Sequence, residues 1–464
     1  MSKAHMTRRS VLRGLVGTGV ALAVGPIVSA CSSSTPAAAP TASSGTSAKA
    51  ATAQPAATAA PSSGQAVKID FWLLGGAPQG KIITDQIFKT YQEKHSTVSL
   101  SLQMMANWPD LYQKLLTAMA GGTPPNMSRI KDYWTPQFGV PGSLVQLDTY
   151  MSKNSFDPKR YVQQRWTSTQ VNGKTYALPW TLFQENQFYN VQLLKDAGFT
   201  NPDGTAKPPQ TWDERRQYAK KLTNTSQQQW GMQLYETDNQ EGTTYDWLDL
   251  LLEAGGEFMN ADRTKFLFNT PEGIQPIQYY LDMLYTDKST VPVGVTVPNG
   301  VNGGKVALWM TGPWTVPTMR AQAPNLPWAV SLKPKLKNDA AALGGNNLTM
   351  YKQAQNQDTT WDWLTFMATP ENDLVWNSNA GYMPVQPENW KKPPYSTDPQ
   401  WKMIAAQASE PNPTLPIVLN FQEILQDIAG ELQNAYIQKK TPKQALSDAY
   451  DQVTQVLNRS LKKQ

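Results

Sequence analysis

Val67-Lys68-Ile69-Asp70-Phe71-Trp72-Leu73-Leu74, followed by Gly75-Gly76, is a mostly apolar run of strand length with a turn signal at its end, the pattern of a largely buried strand. After it Ile83, Ile87, Phe88 and Tyr91 recur at helical spacing. From Thr97 to Met104 the apolar Val98, Leu100, Leu102 and Met104 then alternate with Ser99, Ser101 and Gln103, the period of a strand with one polar face. Strand, helix and strand in about forty residues predict a βαβ unit and with it a parallel sheet.

Beyond this unit further helices are expected, and the C-terminal hundred residues read as mainly helical. A helix is expected to start near Asn107, with Pro109 tolerated in its first turn, and to carry Leu111, Leu115 and Met119 on one stripe as far as Gly121-Gly122. Others are expected over Thr211–Leu222, with Thr211 as N-cap and Glu214 completing a capping box, over Thr270–Tyr285, and over Thr359–Ala368. Trp361 and Trp363 in the last of these are read as packing residues. Ile424, Ile428, Leu432 and Tyr436 share a stripe, and Thr441-Pro442 opens a final helix with Leu446, Val453 and Leu457. From Val67 onward the length suits two domains.

Toward the N-terminus the composition changes twice. Ser32 to Ala66 is almost entirely Ser, Thr, Ala, Pro and Gly with Lys49 its one charge, so no core can form there. Such a segment acts as a flexible tether with an end-to-end distance of roughly 30 Å. Ahead of it, Thr7-Arg8-Arg9-Ser10-Val11-Leu12-Arg13 precedes an apolar stretch that ends in Val28-Ser29-Ala30-Cys31. That stretch is Gly- and Ala-rich, broken by Pro26, and short of the ~20 residues a membrane span needs. The paired arginines resemble a twin-arginine export signal, and the small residues before Cys31 resemble a lipobox, which would make Cys31 a lipidated first mature residue. The competing reading is an uncleaved anchor helix. Residues 1–30 are thus expected to be signal and 31–66 lipidated cysteine and tether, with the bulk of the chain outside the cytoplasm.

Removing that signal removes Lys3, Arg8, Arg9 and Arg13 and leaves 37 basic against 36 acidic side chains. Near-neutrality argues against nucleic acid as a partner. Cys31 is the one cysteine of the chain, so an intrachain disulfide, a cysteine nucleophile and a thiolate metal site are all excluded. Outside the signal only His95 could serve a Ser-His-Asp triad, and Gly304-Lys305-Val306 does not match a nucleotide-binding P-loop. No catalytic residue, metal or cofactor is expected. The sixteen Trp and eighteen Tyr exceed ordinary core needs, and a wet cleft is a natural place for such rings.

Several segments gain meaning from their order. Leu115–Pro125 (LLTAMAGGTPP), Leu144–Tyr150 (LVQLDTY), Val171–Asn190 (VNGKTYALPWTLFQENQFYN), Leu193–Phe199 (LLKDAGF), Pro208–Trp212 (PPQTW), Gly304–Trp314 (GKVALWMTGPW), Trp361–Glu371 (WDWLTFMATPE) and Gly381–Pro384 follow one another. In type and order this set resembles the bacterial extracellular solute-binding proteins of family 1, the maltose-binding-protein-like receptors of ATP-driven sugar importers. The resemblance covers essentially all of Val67–Gln464. It implies an α/β, periplasmic-binding-protein-like type II fold: two lobes with mostly parallel sheets around an interlobe cleft. The first lobe would hold 67–182 and 348–381, the second 183–347 and 382–464, with hinges near Tyr176–Pro179, Gly344–Asn347 and Gly381–Pro384.

The same resemblance implies the site. Ligands in open α/β sheets sit beyond the carboxyl ends of strands, which brings Gly75, Gly76 and Gln79 and the run Lys131-Asp132-Tyr133-Trp134 to the mouth. Trp314, in Gly312-Pro313-Trp314, matches the family's sugar-stacking tryptophan, and Asp132 falls near a position that accepts hydrogen bonds from sugar hydroxyls. Trp108, Trp180, Tyr245 and Tyr382 are further ligand-binding candidates. At Phe183 the sequence departs from maltose-binding protein, which has an acidic contact there, so maltose itself is in doubt. The implied function is capture of a carbohydrate by hinge closure and delivery to the transmembrane subunits of an ABC permease, by a lipid-anchored monomer on the outer face of the bacterial cytoplasmic membrane. The alternatives are a secreted carbohydrate-active enzyme, or a binding protein for glycerol phosphate, polyamine or peptide.

Overall fold

The computed structural model describes residues 66–154, 156–234, 240–410 and 415–462. The signal, Cys31 and nearly all of the tether read from the sequence lie outside the described residues. β1 (Val67–Leu74) and β2 (Val98–Met105) form as expected and pair in parallel with Val67 opposite Val98. The link between them is helical from Ala77 to Gln92, and its middle turns, Ile82–Phe88, widen to a π-helix that buries Ile83, Ile87 and Phe88. α1 (Trp108–Ala120) is capped by Asn107, whose Oδ1 accepts the Asp110 N–H at 2.8 Å, and it buries Leu111, Leu115 and Ala118. β3 (Met127–Lys131) then joins β1 in parallel.

The remaining large strands are β4 (Ala177–Phe183), β5 (Asn186–Asn190), β6 (Trp230–Gln233), β7 (Val306–Thr311), β8 (Trp328–Ser331) and β9 (Gly344–Met350). One sheet runs β2-β1-β3-β9-β4 and the other β6-β7-β5-β8. β9 is antiparallel to both its neighbours, and so is β5. Each is the strand the chain lays down on arriving from the other sheet. β4 ends at the edge where the sheets face each other, so β5, entered directly from it, must run away from that edge while its neighbours run toward it. Both sheets are therefore mixed: all but one strand in each run the same way, and the reversed strand makes four of the seven neighbouring pairs antiparallel, where the resemblance implies mostly parallel sheets.

The two sheets share no strand and organise two α/β lobes. The chain crosses first at Gln184-Glu185, between β4 and β5, and returns between Ser331 and Gly344. β9 begins at Gly344, so the return lies earlier than the boundary expected at Leu348. The third crossing follows α3 (Pro370–Ala380), which ends on Gly381 in a left-handed conformation (φ 82°). There the Met383 N–H donates to the Leu182 carbonyl at 2.9 Å, stitching the crossing to β4. α4 (Phe421–Tyr436) and α5 (Pro442–Leu461) pack together in the second lobe.

Helix starts were the most legible local feature. Thr211 caps its helix through Glu214 N–H at 3.2 Å, and Thr441 caps α5 through Gln444 N–H at the same distance. The expected capping box at Thr211 is modified: the Glu214 carboxylate accepts from the N–H of Gln210, one residue ahead of the cap, at 2.7 Å. Trp361 and Trp363 are buried in the first lobe, with Trp363 edge-on to Phe88 at 5.3 Å. No helix among the described residues is long and apolar enough to cross a membrane.

Candidate functional site

A cleft enclosing about 990 Å³, the solvent at its mouth included, opens where the lobes meet. Its first-lobe wall is made at the carboxyl ends of parallel strands: Leu74 ends β1, Lys131 ends β3 with Asp132 and Tyr133 after it, and Phe183 ends β4. Gly345 and Asn346 come from the start of β9, which lies at the same edge because that strand is reversed. The second lobe contributes Trp314, just past β7, and one stripe of α2 (Gln240–Glu253). Glu241, Tyr245 and Asp249 on that helix are four residues apart and so share a face. Glu185 and Tyr382 line the cleft from two of the crossings.

Of the residues expected to contact a ligand, Trp108, Asp132, Tyr245, Trp314 and Tyr382 line this cleft, and the other four do not. Trp134 is buried beneath Trp108, edge-on at 5.5 Å, with its Nε1–H donated to Gln422 Oε1 at 2.6 Å. Trp180 is buried and stacks on Trp376 of α3 at 4.1 Å, so its faces belong to first-lobe packing. Gln79 turns back to accept the Gly76 N–H at 3.1 Å, and both residues serve a local helix start. Strand-end position placed Gly76, Gln79 and Trp134 near the site and the family resemblance added Trp180, but whether a side chain faces the cleft depends on packing that local sequence does not encode.

Trp314 is held by its glycine and by two aromatic neighbours. A Cβ on Gly312 would lie 2.2 Å from the indole ring, so only glycine lets that ring fold over the backbone. Phe183 meets it edge-on at 5.3 Å, and Tyr382 lies 6.2 Å away at 50°. Phe183, where the sequence departs from the acidic contact of maltose-binding protein, thus sets an apolar ring against the Trp314 indole. Trp108 and Tyr245 add half-buried aromatic surface to the lining.

The charged groups of the lining are mostly already engaged. Asp132 is buried and accepts from Arg165 Nη1 at 2.7 Å and from the Tyr133 N–H at 2.9 Å; burial raises its pKa and the Arg165 charge opposes that rise. Arg165 also donates to Asn347 Oδ1 at 2.8 Å, and its guanidinium fills the space a Cβ on Gly345 would need. Asp249 pairs with the buried Lys333 at 2.6 Å, and Lys333 reaches Glu253 at 3.0 Å. Burial raises the pKa values of Asp249 and Glu253, with Lys333 opposing. Lys131 of the first lobe forms an ion pair with Glu241 of the second, and the Tyr133 hydroxyl donates to the other carboxylate oxygen of Glu241.

Sequence reasoning missed Glu241, Asp249, Glu185 and Asn346. The first two sit on a helix that lacks a clear apolar stripe, and their relevance rests on the second lobe approaching β3. Asn346 lay within a segment already singled out as a hinge. Its neighbour Gly345 carried the one local signal, since paired glycines at Gly344-Gly345 mark a close approach.

A family model described as bacterial extracellular solute-binding protein matches residues 86–403. A binding protein of Brucella abortus is 26% identical over 383 residues, covering 81% of this chain and 90% of that protein. The arabinooligosaccharide-binding protein of Bacillus subtilis is 22% identical over 410 residues, covering 82% of this chain and 86% of that one. Among solved structures, an ABC transporter solute-binding protein of Thermotoga lettingae bound with alpha-D-tagatose superposes with a TM-score of 0.75 at 24% identity, covering 84% of this chain and 99% of that one.

Proposed function

This chain belongs to the bacterial extracellular solute-binding proteins, and from that premise we propose that it captures a neutral carbohydrate between its lobes and hands it unchanged to an ABC permease. The observation that carries this reading is the composition of the cleft. Aromatic rings from both lobes and from a crossing, Trp108, Tyr245, Trp314 and Tyr382, surround a space edged by Asp132, Glu185, Glu241 and Asn346. A sugar ring offers apolar C–H faces to such rings and a rim of hydroxyls to such polar groups. By analogy with aromatic pairs, each such contact adds about 1 kcal/mol beyond the area it buries. The relatives named for sugars support the same class.

Charge favours a neutral ligand over a phosphate. Four carboxylates line the cleft against one lysine, and that lysine is already paired with Glu241. A phosphate would face those carboxylates without the converging arginines that phosphate sites use. Contacts from both lobes exist together only when the lobes approach, so the ligand favours the closed arrangement by differential affinity. Gln184-Glu185, the 332–343 segment and Gly381–Pro384 are the proposed hinges. Export by the paired-arginine signal, anchoring through Cys31 to the outer face of the cytoplasmic membrane, and action as a monomer complete the reading.

The test is calorimetric titration and tryptophan fluorescence with neutral mono- and oligosaccharides, sn-glycerol 3-phosphate and spermidine. Saturable binding of at least one neutral sugar, recovered chemically intact, is expected. Binding of the phosphate or the polyamine alone, or conversion of the sugar, overturns the proposal.

A further inference from the structure

Arg129 of β3 is 2% exposed and lies directly behind the cleft wall. Every hydrogen bond described for it goes to a neutral oxygen. Nε donates to Asn346 Oδ1 at 3.0 Å, Nη1 to the Leu74 carbonyl at 3.3 Å, and Nη2 to the Tyr382 hydroxyl at 2.7 Å. A second donation from Nη2 also reaches Asn346. Four rings surround the guanidinium: Tyr382 at 4.9 Å, Trp108 at 5.3 Å, Trp180 at 5.7 Å and Trp376 at 5.9 Å. Aromatic faces stabilise the buried cation there. Leu74, Trp108, Asn346 and Tyr382, all touched by this one side chain, line the cleft.

The hydrogen-bond inventory fixes a direction. Arginine only donates, so the Tyr382 oxygen must accept from Arg129, and the phenolic proton is left to donate elsewhere. Donation from a cation to that oxygen also strengthens the O–H as a donor, because successive hydrogen bonds polarise one another. The Tyr382 backbone is tied as well, its carbonyl accepting from the Tyr395 hydroxyl at 2.6 Å. With both ends held, the proton is the stronger polar capacity left to the phenol at the third crossing, because donation from the cation weakens the oxygen's second lone pair as an acceptor, and the ring lines the cleft.

We infer that Arg129 is a positioning residue that makes Tyr382 an obligate hydrogen-bond donor to an oxygen of the bound ligand. The cleft then favours a ligand presenting a hydroxyl, ring or glycosidic oxygen at that point over one presenting an ammonium group, which could only donate in turn. This rests on the carbohydrate reading above for the identity of the oxygen, but the coupling of Arg129 to Tyr382 does not.

Two measurements on Arg129→Met, Tyr382→Phe, the double variant and Arg129→Lys test the inference. In calorimetric titration with maltotriose and with arabinotriose, each of the first two substitutions should weaken binding roughly tenfold, the scale of one charge-assisted hydrogen bond. The double variant should be no weaker than the worse single one, and Arg129→Lys, which keeps a charge without the fork, should recover part of the loss. In ligand-free hydrogen exchange, the amides of Tyr382 and Met383, bonded to the Asn377 and Leu182 carbonyls, should exchange faster in each single variant and no faster in the double one. Additive effects in either measurement, or none, overturn the inference. If Arg129→Met does not fold, Arg129→Lys with Tyr382→Phe gives the same comparison. If the wild-type protein takes up neither trisaccharide, the carbohydrate reading loses support while the exchange measurement still decides the role of Arg129.

Discussion

At the scale of single residues, the cleft depends on side chains whose position is fixed by something other than the ligand. Trp314 rests over Gly312 and against Phe183, so its indole is ordered before anything binds. A preordered platform loses little entropy on binding. Trp314→Ala should therefore weaken sugar binding by about ten- to a hundredfold, the range expected from losing one large apolar contact face, with a smaller change in the thermal midpoint than a core tryptophan would give because the residue is only partly buried. Titration beside a melting curve checks both parts. A large drop in the midpoint with unchanged affinity would mean that the ring is packing after all. Trp314, singled out by the Gly312-Pro313-Trp314 motif, lines the cleft, whereas Trp134 and Trp180, also offered as candidates, turn inward.

At the scale of elements, the third crossing is held by a buried carboxylate at the first turn of α3. Asp373 accepts from the N–H groups of Val385 and Gln386 at 3.1 and 3.3 Å and from the side chains of Asn377 and Asn389 at 2.9 and 2.8 Å. Burial nevertheless pushes its pKa up to about 7, against the lowering effect of those donors. An aspartate titrates near 3.9 when unfolded, so between about pH 4 and pH 7 the folded state holds more of this proton than the unfolded state. Its contribution to stability is therefore greatest at low pH and declines as pH rises through that window. Asp373→Asn removes the titration. The difference in thermal midpoint, variant minus wild type, should rise from pH 4 to pH 7 and be level above. A difference independent of pH would show that the carboxyl is ionised throughout. Element starts were largely readable, because a cap such as Thr441 or Asn107 works within one turn. The reversed strands β5 and β9 were not, since strand direction follows from which sheet the chain has just left.

At the scale of the whole molecule, the lobes touch across the cleft through a polar clasp. Lys131 and Tyr133 of the first lobe converge on Glu241 of the second, and all three line the site. The pair is largely shielded, with side chains 10% and 21% exposed, so salt should weaken it only in part. Glu241→Gln should shift the ligand-free protein toward a larger radius of gyration in small-angle scattering, and saturating sugar should restore the compact form. Scattering curves that coincide for variant and wild type would show that the clasp does not set the lobe spacing.

Neighbours along the chain carry the signals that were readable before folding: the βαβ start, the helix caps, the Ser/Ala/Pro/Thr composition of 32–66, the lack of a second cysteine for a disulfide, and the ordered segments that mark the family. Those signals are local because hydrogen-bond capping and hydrophobic periodicity act over one or two turns. Packing between distant segments sets which rings face the cleft, that Asp132 answers to Arg165, that Glu241 meets Lys131 from the opposite lobe, and that Arg129 sits behind Tyr382. Each of these joins residues far apart along the chain, Asp132 with Arg165 inside the first lobe and the others across a crossing, and no local spacing encodes such a meeting.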